Sequence, residues 1–325
     1  MAEVAIIMVT HNSAGFIGPC LSSVVPSGAD IVVVDNSSTD ETREIIRQYP
    51  GVRLIETGTN FGYGKAINLG AAQTHSGHKH LILSNTDVVY REGTVSTMIS
   101  FLESHPEIGI TAPRQVSPSG GWQRSYGDIP GVWTGIKDVL GISSAIRWYR
   151  RLCWPRRVDS RPKQVGYVFG AVLALPREAY LQAKGFDEDF YFYGDESDLC
   201  IRLRKMGWKV VFCPFAEVIH HGGGDSTRLD QSDKFYRFLT KSHAMLAKKH
   251  LPLWQARAYV WLEKLYFQRL ALGFKLIKRV SRANSSKDTR LDHRIWVMDV
   301  CTRLLAEQLS QLGASEPKAG SLGAC

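Results

Sequence analysis

The sequence predicts an α/β fold, in which a mostly parallel sheet carries helices on both faces and a helical segment follows at the C-terminus. Two observations lead to this prediction. Short apolar runs alternate with helical patterns through the first half of the chain, which is typical of β-α-β units. The composition, with 44% hydrophobic and 22% charged residues over 325 positions, is that of a globular protein with a substantial core.

Buried apolar runs predict the first strands. These are Val4–Val9, Ile31–Val34, Val52–Ile55, His80–Leu83 and Ile108–Ala112. The segments between them have helical periodicity, over 14–25, 40–49, 62–74 and 92–104. In parallel sheets built this way, ligands bind beyond the carboxyl ends of the strands. Polar residues at those ends are therefore the first candidates for a functional site.

Residues 114–165 break the regular pattern and are interpreted as an irregular excursion within a first domain of residues 1–228. Regular patterns then return. They predict a strand at Tyr167–Leu175, helices near 177–183 and 196–206, and short strands at 209–213 and 216–219. Residues 229–312 are predicted to be a helical, basic segment, and residues 313–325 a disordered tail.

The termini and cysteines bear on the compartment of the protein. The N-terminus lacks a basic region followed by a long apolar stretch, so it predicts a first strand and no signal peptide. No apolar run approaches the roughly 20 residues of a membrane span. The six cysteines are scattered without metal-site spacing. We therefore expect a cytoplasmic protein whose membrane contact, if any, is peripheral on the inner face of the plasma membrane.

The first two strands end in polar residues that suit a nucleotide. Thr10 and Asn12 follow the first strand, and Asp35 ends the second. Ser38 and Glu41 have capping-box spacing, which accounts for the start of the next helix but not for Asp35. A carboxylate in that position can accept hydrogen bonds from a base or ribose. The G-x-G-x-x-G fingerprint is absent after the first strand, which argues against NAD and FAD.

A glycine-containing segment follows the third strand and includes Asn60, Gly62, Gly64 and Asn68. Glycines that open a helix allow close backbone approach and offer free N–H groups to phosphate or sugar hydroxyls. The alternative is that they are glycines for steric reasons alone. Both interpretations remain open at this point.

The fourth and last strands end in groups that could bind a metal ion. Asn85 and Asp87 follow the fourth strand, and His220 closes the final one. Mg²⁺ or Mn²⁺ at a diphosphate usually takes one or two protein carboxylates and completes its shell with phosphate oxygens and water. A neutral imidazole could supply a further ligand. An isolated Asn-Thr-Asp could equally be an Asx turn, and a lone histidine a surface residue.

An acidic cluster begins the helix at 196–206, directly after a run of aromatic residues. Asp195, Glu196 and Asp198 could act as a helix cap and first-turn acids, with Asp198 and Arg202 as an i,i+4 pair. That explanation accounts for two of the three acids. A third acid behind an aromatic wall is a candidate general base, because burial raises the pKa of a carboxyl group.

Together these segments resemble glycosyltransferase family two, in particular its bacterial rhamnosyltransferase-like branch, over about residues 4–228. The resemblance rests on ordered motifs: V-T-H-N-S, V-V-D-N-S-S-T-D, N-F-G-Y-G-K-A-I-N-L-G, S-N-T-D in place of D-x-D, G-F-D-E-D-F-Y-F-Y-G-D-E-S-D, and H-H-G-G-G-D-S-T. It implies a Rossmann-like GT-A fold and inverting transfer of a sugar from a nucleotide donor.

The resemblance also implies roles for single residues. Asp35 would contact the donor base, Asp87 would bind Mn²⁺ or Mg²⁺, and His220 would complete its coordination. Asn85 replaces the first Asp of D-x-D and would lie on the donor side. The family pattern is Glu-Asp-x-Asp, so register favours Glu196 as the base and side-chain identity favours Asp195. Further candidates on the acceptor side are Asp198, Arg202 and Trp208.

Donor and acceptor follow from the same resemblance. The favoured donor is dTDP-rhamnose, and the acceptor a glycan or polyprenyl-linked glycan of cell-envelope polysaccharide. Transfer of another sugar, such as a hexose or galactofuranose, remains an alternative, as does a scaffold that binds nucleotide sugars without catalysis.

Residues 241–290 contain twelve Lys or Arg against two acidic residues, whereas the formal charge of the whole chain is +9. On a helix, six of these basic side chains fall near one line together with Gln268: Arg257, Lys264, Lys275, Lys278, Arg279 and Arg282. Apolar residues are predicted opposite: Tyr259, Leu262, Tyr266, Leu270 and Ile277. The pattern suits an anionic membrane surface. Packing within the protein or a homodimer is the alternative, and no nucleic-acid motif is present.

Overall fold

The computed structural model describes residues 3–123, 125–143, 145, 160–191, 193–222, 233–281 and 289–313. The chain forms two compact units. The first contains Met1–Ile129 with Pro155–Gln231, and the second contains Pro130–Trp154 with Ser232–Cys325. The predicted tail, apart from Gly313, lies outside the described residues.

The first unit alternates strands and helices in its amino-terminal half, as the apolar periodicity predicts. In chain order the elements are β1 Val4–Thr10, α1 Ala14–Val24, β2 Asp30–Asp35, α2 Thr42–Ile46, β3 Val52–Glu56, α3 Tyr63–Ala72, β4 His80–Asn85, β5 Val88–Tyr90, α4 Thr94–Glu103 and β6 Ile108–Val116. A short 3₁₀ turn, Val25–Ser27, follows α1.

The remaining elements of the first unit are shorter and more varied. They are β7 Trp122–Gln123, β8 Tyr126–Gly127, β9 Lys163–Gln164, β10 Tyr167–Val168, β11 Val172–Pro176, α6 Arg177–Gln182, α7 Asp195–Lys205 and β12 Lys209–His220. The second unit contains α5 Val132–Val139, α8 Asp233–His250, α9 Leu253–Ser281 and α10 Thr289–Gly313.

The main sheet has the order β3-β2-β1-β4-β11-β6-β12-β5. Its first four strands are parallel, as predicted. In the other half, β6 and β12 are parallel to each other, but β11 runs antiparallel between β4 and β6, and β5 runs antiparallel to β12. The sheet is therefore parallel on one side and mixed on the other.

Two strand predictions need correction. The predicted strand at Tyr167–Leu175 is two strands, because β10 pairs with β8 in a separate small sheet and only β11 joins the main one. The two short strands predicted at 209–213 and 216–219 are one strand, β12, with a register shift between Cys213 and Glu217. A bulge of this kind interrupts pairing without ending the strand.

Helices cover both faces of the sheet because successive strand residues point to opposite sides. On one face, Ile6 and Met8 pack with a cluster that includes Ile17 of α1 and Met98 of α4. On the other face, Ile7 belongs to a cluster shared with α3, α6 and α7. The sandwich of helix, sheet and helix is thus confirmed, and it fixes the carboxyl ends of the strands along one edge.

The second unit is a helical assembly with its own core around Ala256, Val260 and Leu305. Helix α9 packs along both α10 and α5. Two ion pairs connect α9 to α10, between Lys275 and Asp299 and between Lys278 and Asp292. Among the described helices, none has both the length and the hydropathy needed to cross a membrane.

Candidate active site

The carboxyl ends of β1 and β2 place two candidate residues side by side. Thr10 and Asp35 are direct partners in the parallel register of these strands. Asp35 is 1% exposed, and its Oδ2 accepts a hydrogen bond from the Ser38 amide at 3.1 Å. Within the described part of the chain, Asp35 Oδ1 and Thr10 Oγ1 are buried without a hydrogen-bond partner. Such groups are costly unless a ligand satisfies them, so they suit a nucleotide base.

The loop after Asp35 differs from the predicted capping box. Helix α2 begins at Thr42, whose amide donates to Asp40 Oδ1 at 3.1 Å. The Ser38 hydroxyl instead accepts from the amide of Asn12 at 2.9 Å. Asn12 Oδ1 in turn accepts from the amide of Thr39 at 2.8 Å. The side chain of Asn12, a predicted donor contact, therefore joins the loops that follow β1 and β2.

Asn36, which was not among the predicted site residues, connects this loop to the next one. Its Nδ2 donates to Asn60 Oδ1 and to the carbonyl of Gly62, both at 3.0 Å. Its Oδ1 accepts from the amide of Phe61 at 3.0 Å. The one available signal was its position directly after Asp35, at the end of a buried strand.

The glycines after β3 are required by close packing. The N–H of Gly62 donates to Asn60 Oδ1 at 2.9 Å, so it is already used within the protein. Gly62 has a φ of +81°, and a Cβ there would lie 2.4 Å from the carbonyl oxygen of Tyr191. A Cβ on Gly64 would lie 3.0 Å from Phe186 Cβ. The steric interpretation therefore explains both glycines.

Asn68 was a predicted donor contact, but its amide is fully used inside the protein. Its Oδ1 accepts from the Tyr180 hydroxyl at 2.6 Å and from the Phe186 amide at 2.8 Å. Its Nδ2 donates to the Phe186 carbonyl at 2.9 Å and to Glu188 Oε1 at 3.3 Å. An amide group has four such positions, and all four are occupied. Asn68 therefore holds the loop that precedes α7.

Asp87 and His220 lie together, although they are far apart in the chain. His220 Nε2 is 3.5 Å from Asp87 Oδ2. Their approach follows from the sheet: β5 pairs antiparallel with β12 so that Val88 lies opposite His220, and the His221 amide donates to the Asp87 carbonyl at 2.9 Å. The carboxylate and the imidazole are thus held in place by the hydrogen-bonded pairing of β5 with β12.

Gln123 of β7 fixes the orientation of His220. Its Nε2 donates to the His220 carbonyl at 3.0 Å, and its Oε1 lies 3.0 Å from His220 Nδ1. Since a carbonyl can only accept, the amide orientation is set, and Nδ1 must carry the proton that bonds to Oε1. In the neutral imidazole, Nε2 is then the nitrogen that has the lone pair, and it lies toward Asp87. Gln123 lies in the irregular excursion, where no sequence pattern distinguishes it.

The Asp87–His220 pair fits a divalent cation. A carboxylate oxygen and an imidazole nitrogen 3.5 Å apart can both reach an ion at about 2.1 Å from each. Among the residues that the structure describes, no group of three His, Cys, Asp or Glu is arranged for a metal. Further positions would fall to diphosphate oxygens and water, as is usual for Mg²⁺ and Mn²⁺. Asn85, partly exposed at the end of β4, adjoins this position.

The acidic cluster divides into a buried and a half-buried carboxyl group. Asp195 is 3% exposed at the start of α7, and burial, followed by the negative charge of Glu196, raises its pKa well above the usual range. Its Oδ2 faces Gly64. Glu196 is half-buried and lies along Gly170, whose carbonyl accepts from the Tyr63 hydroxyl at 3.3 Å. Burial and both acids also raise the pKa of Tyr63.

The three predicted acceptor-side residues have other contacts. Asp198 Oδ2 accepts from Arg202 Nε at 2.7 Å, and Arg202 also donates to the carbonyls of Ala183 and Gly185. Trp208 covers Gly109 and donates to Gln182 Oε1 at 2.9 Å. Trp208 precedes β12, so it lies at the opposite end of that strand from His220. These contacts hold α7 and β12 in place.

Solved structures that resemble this chain are glycosyltransferases with the GT-A fold. A mannosyltransferase from Pyrobaculum calidifontis, solved with GDP-mannose and Mn²⁺, matches 96% of this chain and 87% of its own, with a TM-score of 0.55 and 17% identity. GalNAc-T7, solved with UDP, GalNAc and Mn²⁺, matches 67% of this chain and 43% of its own, with a TM-score of 0.51 and 18% identity. The fold class is therefore GT-A.

Sequence comparisons identify the family. The sequence model of Glycosyl transferase family 2 matches residues 5–181, and one for the N-terminal domain of galactosyltransferase matches residues 160–222. The second match contains Glu196 and His220. The chain belongs to glycosyl transferase family 2 and is a glycosyltransferase.

Curated relatives include rhamnosyltransferases. An N-acetylglucosaminyl-diphospho-decaprenol L-rhamnosyltransferase of Mycobacterium tuberculosis is 30% identical over 247 residues, which cover 73% of this chain and 80% of the relative. The rhamnosyltransferase WbbL of Escherichia coli K12 is 23% identical over 258 residues, covering 76% of this chain and 94% of the relative. A hexosyltransferase of Haloferax volcanii, Agl10, is 24% identical over 246 residues, covering 72% of each.

Proposed function

We propose that this glycosyltransferase transfers L-rhamnose from dTDP-rhamnose to a glycan or polyprenyl-linked glycan in cell-envelope polysaccharide synthesis, and that it requires a divalent cation. The observation that carries the metal requirement is the 3.5 Å approach of Asp87 to His220 at the carboxyl edge of the sheet. Rhamnose and a lipid-linked acceptor are supported by the names of the curated relatives.

The donor would lie along the carboxyl ends of β1, β2 and β4. There, Asp35 Oδ1 can accept an N–H of the base, and the Thr10 hydroxyl can donate to a base or ribose oxygen; both atoms are buried and unsatisfied within the described chain. Asp87 and His220 would hold Mn²⁺ or Mg²⁺, which when bound neutralises charge on the leaving diphosphate. Gln123 keeps His220 Nε2 turned toward Asp87.

Glu196 is the proposed base for the acceptor hydroxyl. Two adjacent carboxyl groups rarely ionise together, and the buried one of this pair, Asp195, has the raised pKa. Asp195 therefore holds its proton more tightly than an exposed carboxyl group would, and the half-buried Glu196 is assigned to take the proton of the acceptor at Oε. Attack of the hydroxyl oxygen on the anomeric carbon then breaks the bond to the diphosphate with inversion. Asp195 acts as a neutral neighbour in this scheme.

The test is a donor screen followed by an acceptor assay. The purified protein is incubated with Mn²⁺ and a panel of nucleotide sugars, and thermal stabilisation and nucleotide release are measured. We expect dTDP-rhamnose to give the largest stabilisation, and polyprenyl-diphospho-N-acetylglucosamine to accelerate dTDP release. Preference for a hexose or galactofuranose donor would contradict the rhamnose assignment. Binding of donor without turnover on any glycan acceptor would instead indicate a nucleotide-sugar-binding scaffold.

A further inference from the structure

Helix α9 of the second unit presents large apolar side chains to solvent along one line. Trp254, Trp261 and Leu272 are 67%, 50% and 62% exposed, and Leu276 is also exposed. At about 100° per residue, the four positions fall within a sector of roughly 60°. The opposite side of the helix supplies the core of this unit. The exposed line is therefore additional to the packing that stabilises the helix.

The charges on α9 differ from the predicted stripe. Lys275 and Lys278 are paired with Asp299 and Asp292 of α10, so they contribute to helix packing. Ile277, predicted to lie on the apolar side, is exposed. Arg282 lies outside the described residues.

Three further cations of α9 lie beside the exposed apolar line. Arg257, Lys264 and Arg279 fall within roughly 60° of Trp261, and Arg257 and Arg279 are exposed. The helix has one carboxylate, Glu263, which is directed inward and bonded to His243 Nδ1 at 2.7 Å. This side of the helix therefore combines aromatic and aliphatic groups with positive charge and contains no acidic group of its own.

Helix α5, which packs against α9, also has exposed apolar side chains. It lies along α9, since a Cβ on Gly135 would be 2.9 Å from Leu262 Cβ and one on Gly141 would be 2.8 Å from the Arg269 guanidinium. Trp133 and Leu140, one on α5 and one directly after it, are both highly exposed. Three exposed tryptophans within one helix pair are unusual for a surface that only contacts water.

We propose that the exposed line of α9 and its neighbouring arginines, defined by Trp254, Trp261, Leu272, Arg257 and Arg279, binds an anionic lipid bilayer with α9 lying in the plane of the interface. Tryptophan rings favour the headgroup level, where one end is apolar and the other wet. Arginines beside them attract anionic headgroups. From Trp254 to Arg279 the helix spans about 37 Å, which lies along the interface without crossing it. This surface is rich in tryptophan and has positive charge without acids. It therefore suits an anionic bilayer better than a second copy of itself, because an interface between two copies would bring their arginines together.

The experiment is flotation of the full-length protein with vesicles of phosphatidylcholine, alone or with 30% phosphatidylglycerol. The wild type is expected to float with the anionic vesicles. The variant W254S/W261S/L272Q should lose at least about tenfold in partitioning. R257Q/R279Q should lose about 30-fold on anionic vesicles and little on neutral ones. The matched control is Leu181→Ser, which removes an exposed leucine from the first unit.

These outcomes separate the bilayer from other partners. All variants change exposed side chains, and retained circular dichroism shows that they fold. Equal flotation of wild type and W254S/W261S/L272Q would overturn the proposal, as would equal binding to neutral and anionic vesicles. So would a wild type that stays unbound but forms a dimer which the triple variant loses, because the surface would then be an interface between copies. None of these readouts depends on sugar transfer.

Discussion

The amide-rich loops and the acid–histidine groups at the same sheet edge are built from similar short polar residues, yet they use their hydrogen bonds differently. Asn36 and Asn68 bond to neighbouring loops. Asp35 and Asp195, in contrast, each keep one buried oxygen that no group in the described chain satisfies. The difference teaches that the destination of hydrogen bonds, more than residue type, separates residues whose polar atoms are all used inside the protein from residues with an atom left for a ligand.

Removing the proposed metal carboxylate should have the largest effect. Asp87→Ala is expected to lower kcat/KM for sugar transfer by about a thousandfold or more, because charge on the leaving diphosphate loses its stabilisation. Transfer is measured at saturating Mn²⁺. The matched control, Glu92→Ala, removes an exposed acid a few positions away and should leave the rate unchanged. A loss of less than tenfold for Asp87→Ala would remove it from the site.

The acid pair provides the next comparison. Glu196→Gln is expected to lower kcat by about 10² to 10⁴, because the acceptor hydroxyl loses its base. Asp195→Asn keeps a neutral group in place of a protonated acid and should retain most of the rate. Single-turnover kinetics with bound donor measure both. The reverse result, with Asp195→Asn inactive and Glu196→Gln active, would exchange the two roles.

A variant of Gln123 tests whether this residue positions His220 without taking part in catalysis. Gln123→Leu removes the partner of His220 Nδ1, so the ring loses its fixed tautomer, and Mn²⁺ affinity should fall about 10- to 100-fold. Electron paramagnetic resonance measures free Mn²⁺ in the presence of nucleoside diphosphate. At saturating Mn²⁺ the variant should recover kcat to within about threefold. Unchanged Mn²⁺ affinity would show that the hydrogen bonds between Gln123 and His220 do not position a metal ligand.

Asn68 is one of the amides whose hydrogen bonds are made within the protein. Asn68→Ala leaves the Phe186 backbone and the Tyr180 hydroxyl without partners and should lower the free energy of unfolding by about 2–3 kcal/mol. The rate per folded molecule, measured well below the melting temperature, should stay within about threefold. Loss of donor affinity at unchanged stability would instead make Asn68 a donor contact.

The smallest expected effect is on the pH dependence of stability. The pKa of Asp195 is raised in the folded protein, so its contribution is fully present below the unfolded value near 3.8 and is lost as pH rises through the folded pKa. Across that window the slope reaches at most about 1.4 kcal/mol per pH unit. Thermal melts from pH 4 upward should show this loss in the wild type and a flatter profile in Asp195→Asn. Identical profiles would contradict the raised pKa.

The parallel half of the sheet was predictable because each of its strands is a separate apolar run. Strand β11 was not, because its orientation depends on pairing with β4, roughly ninety positions earlier. Hydrophobic pattern predicts that a segment is buried, but a strand between two others has the same pattern in either direction.

The candidate site was predictable to a similar degree. The order of polar residues at strand ends suggested Asp35, Asp87 and His220 before any contact was known. Gln123 could not be found, because a glutamine in an irregular segment has no distinguishing pattern. For Asn68 the motif gave no sign of its packing role: it stands in a polar motif, and only its tertiary contacts reveal that the amide is occupied.

The pairing of β5 with β12 determines when, during synthesis, the chain can first form the proposed cation site. Asp87 and His220 are 133 positions apart, and β12 is the last of the described strands of the first unit along the chain. During synthesis, a nascent chain has Asp35 and Asp87 long before it has the histidine. The emergence of β12 from the ribosome therefore completes the ligand pair, and a chain that stops short of it has no such pair to offer a nucleotide diphosphate.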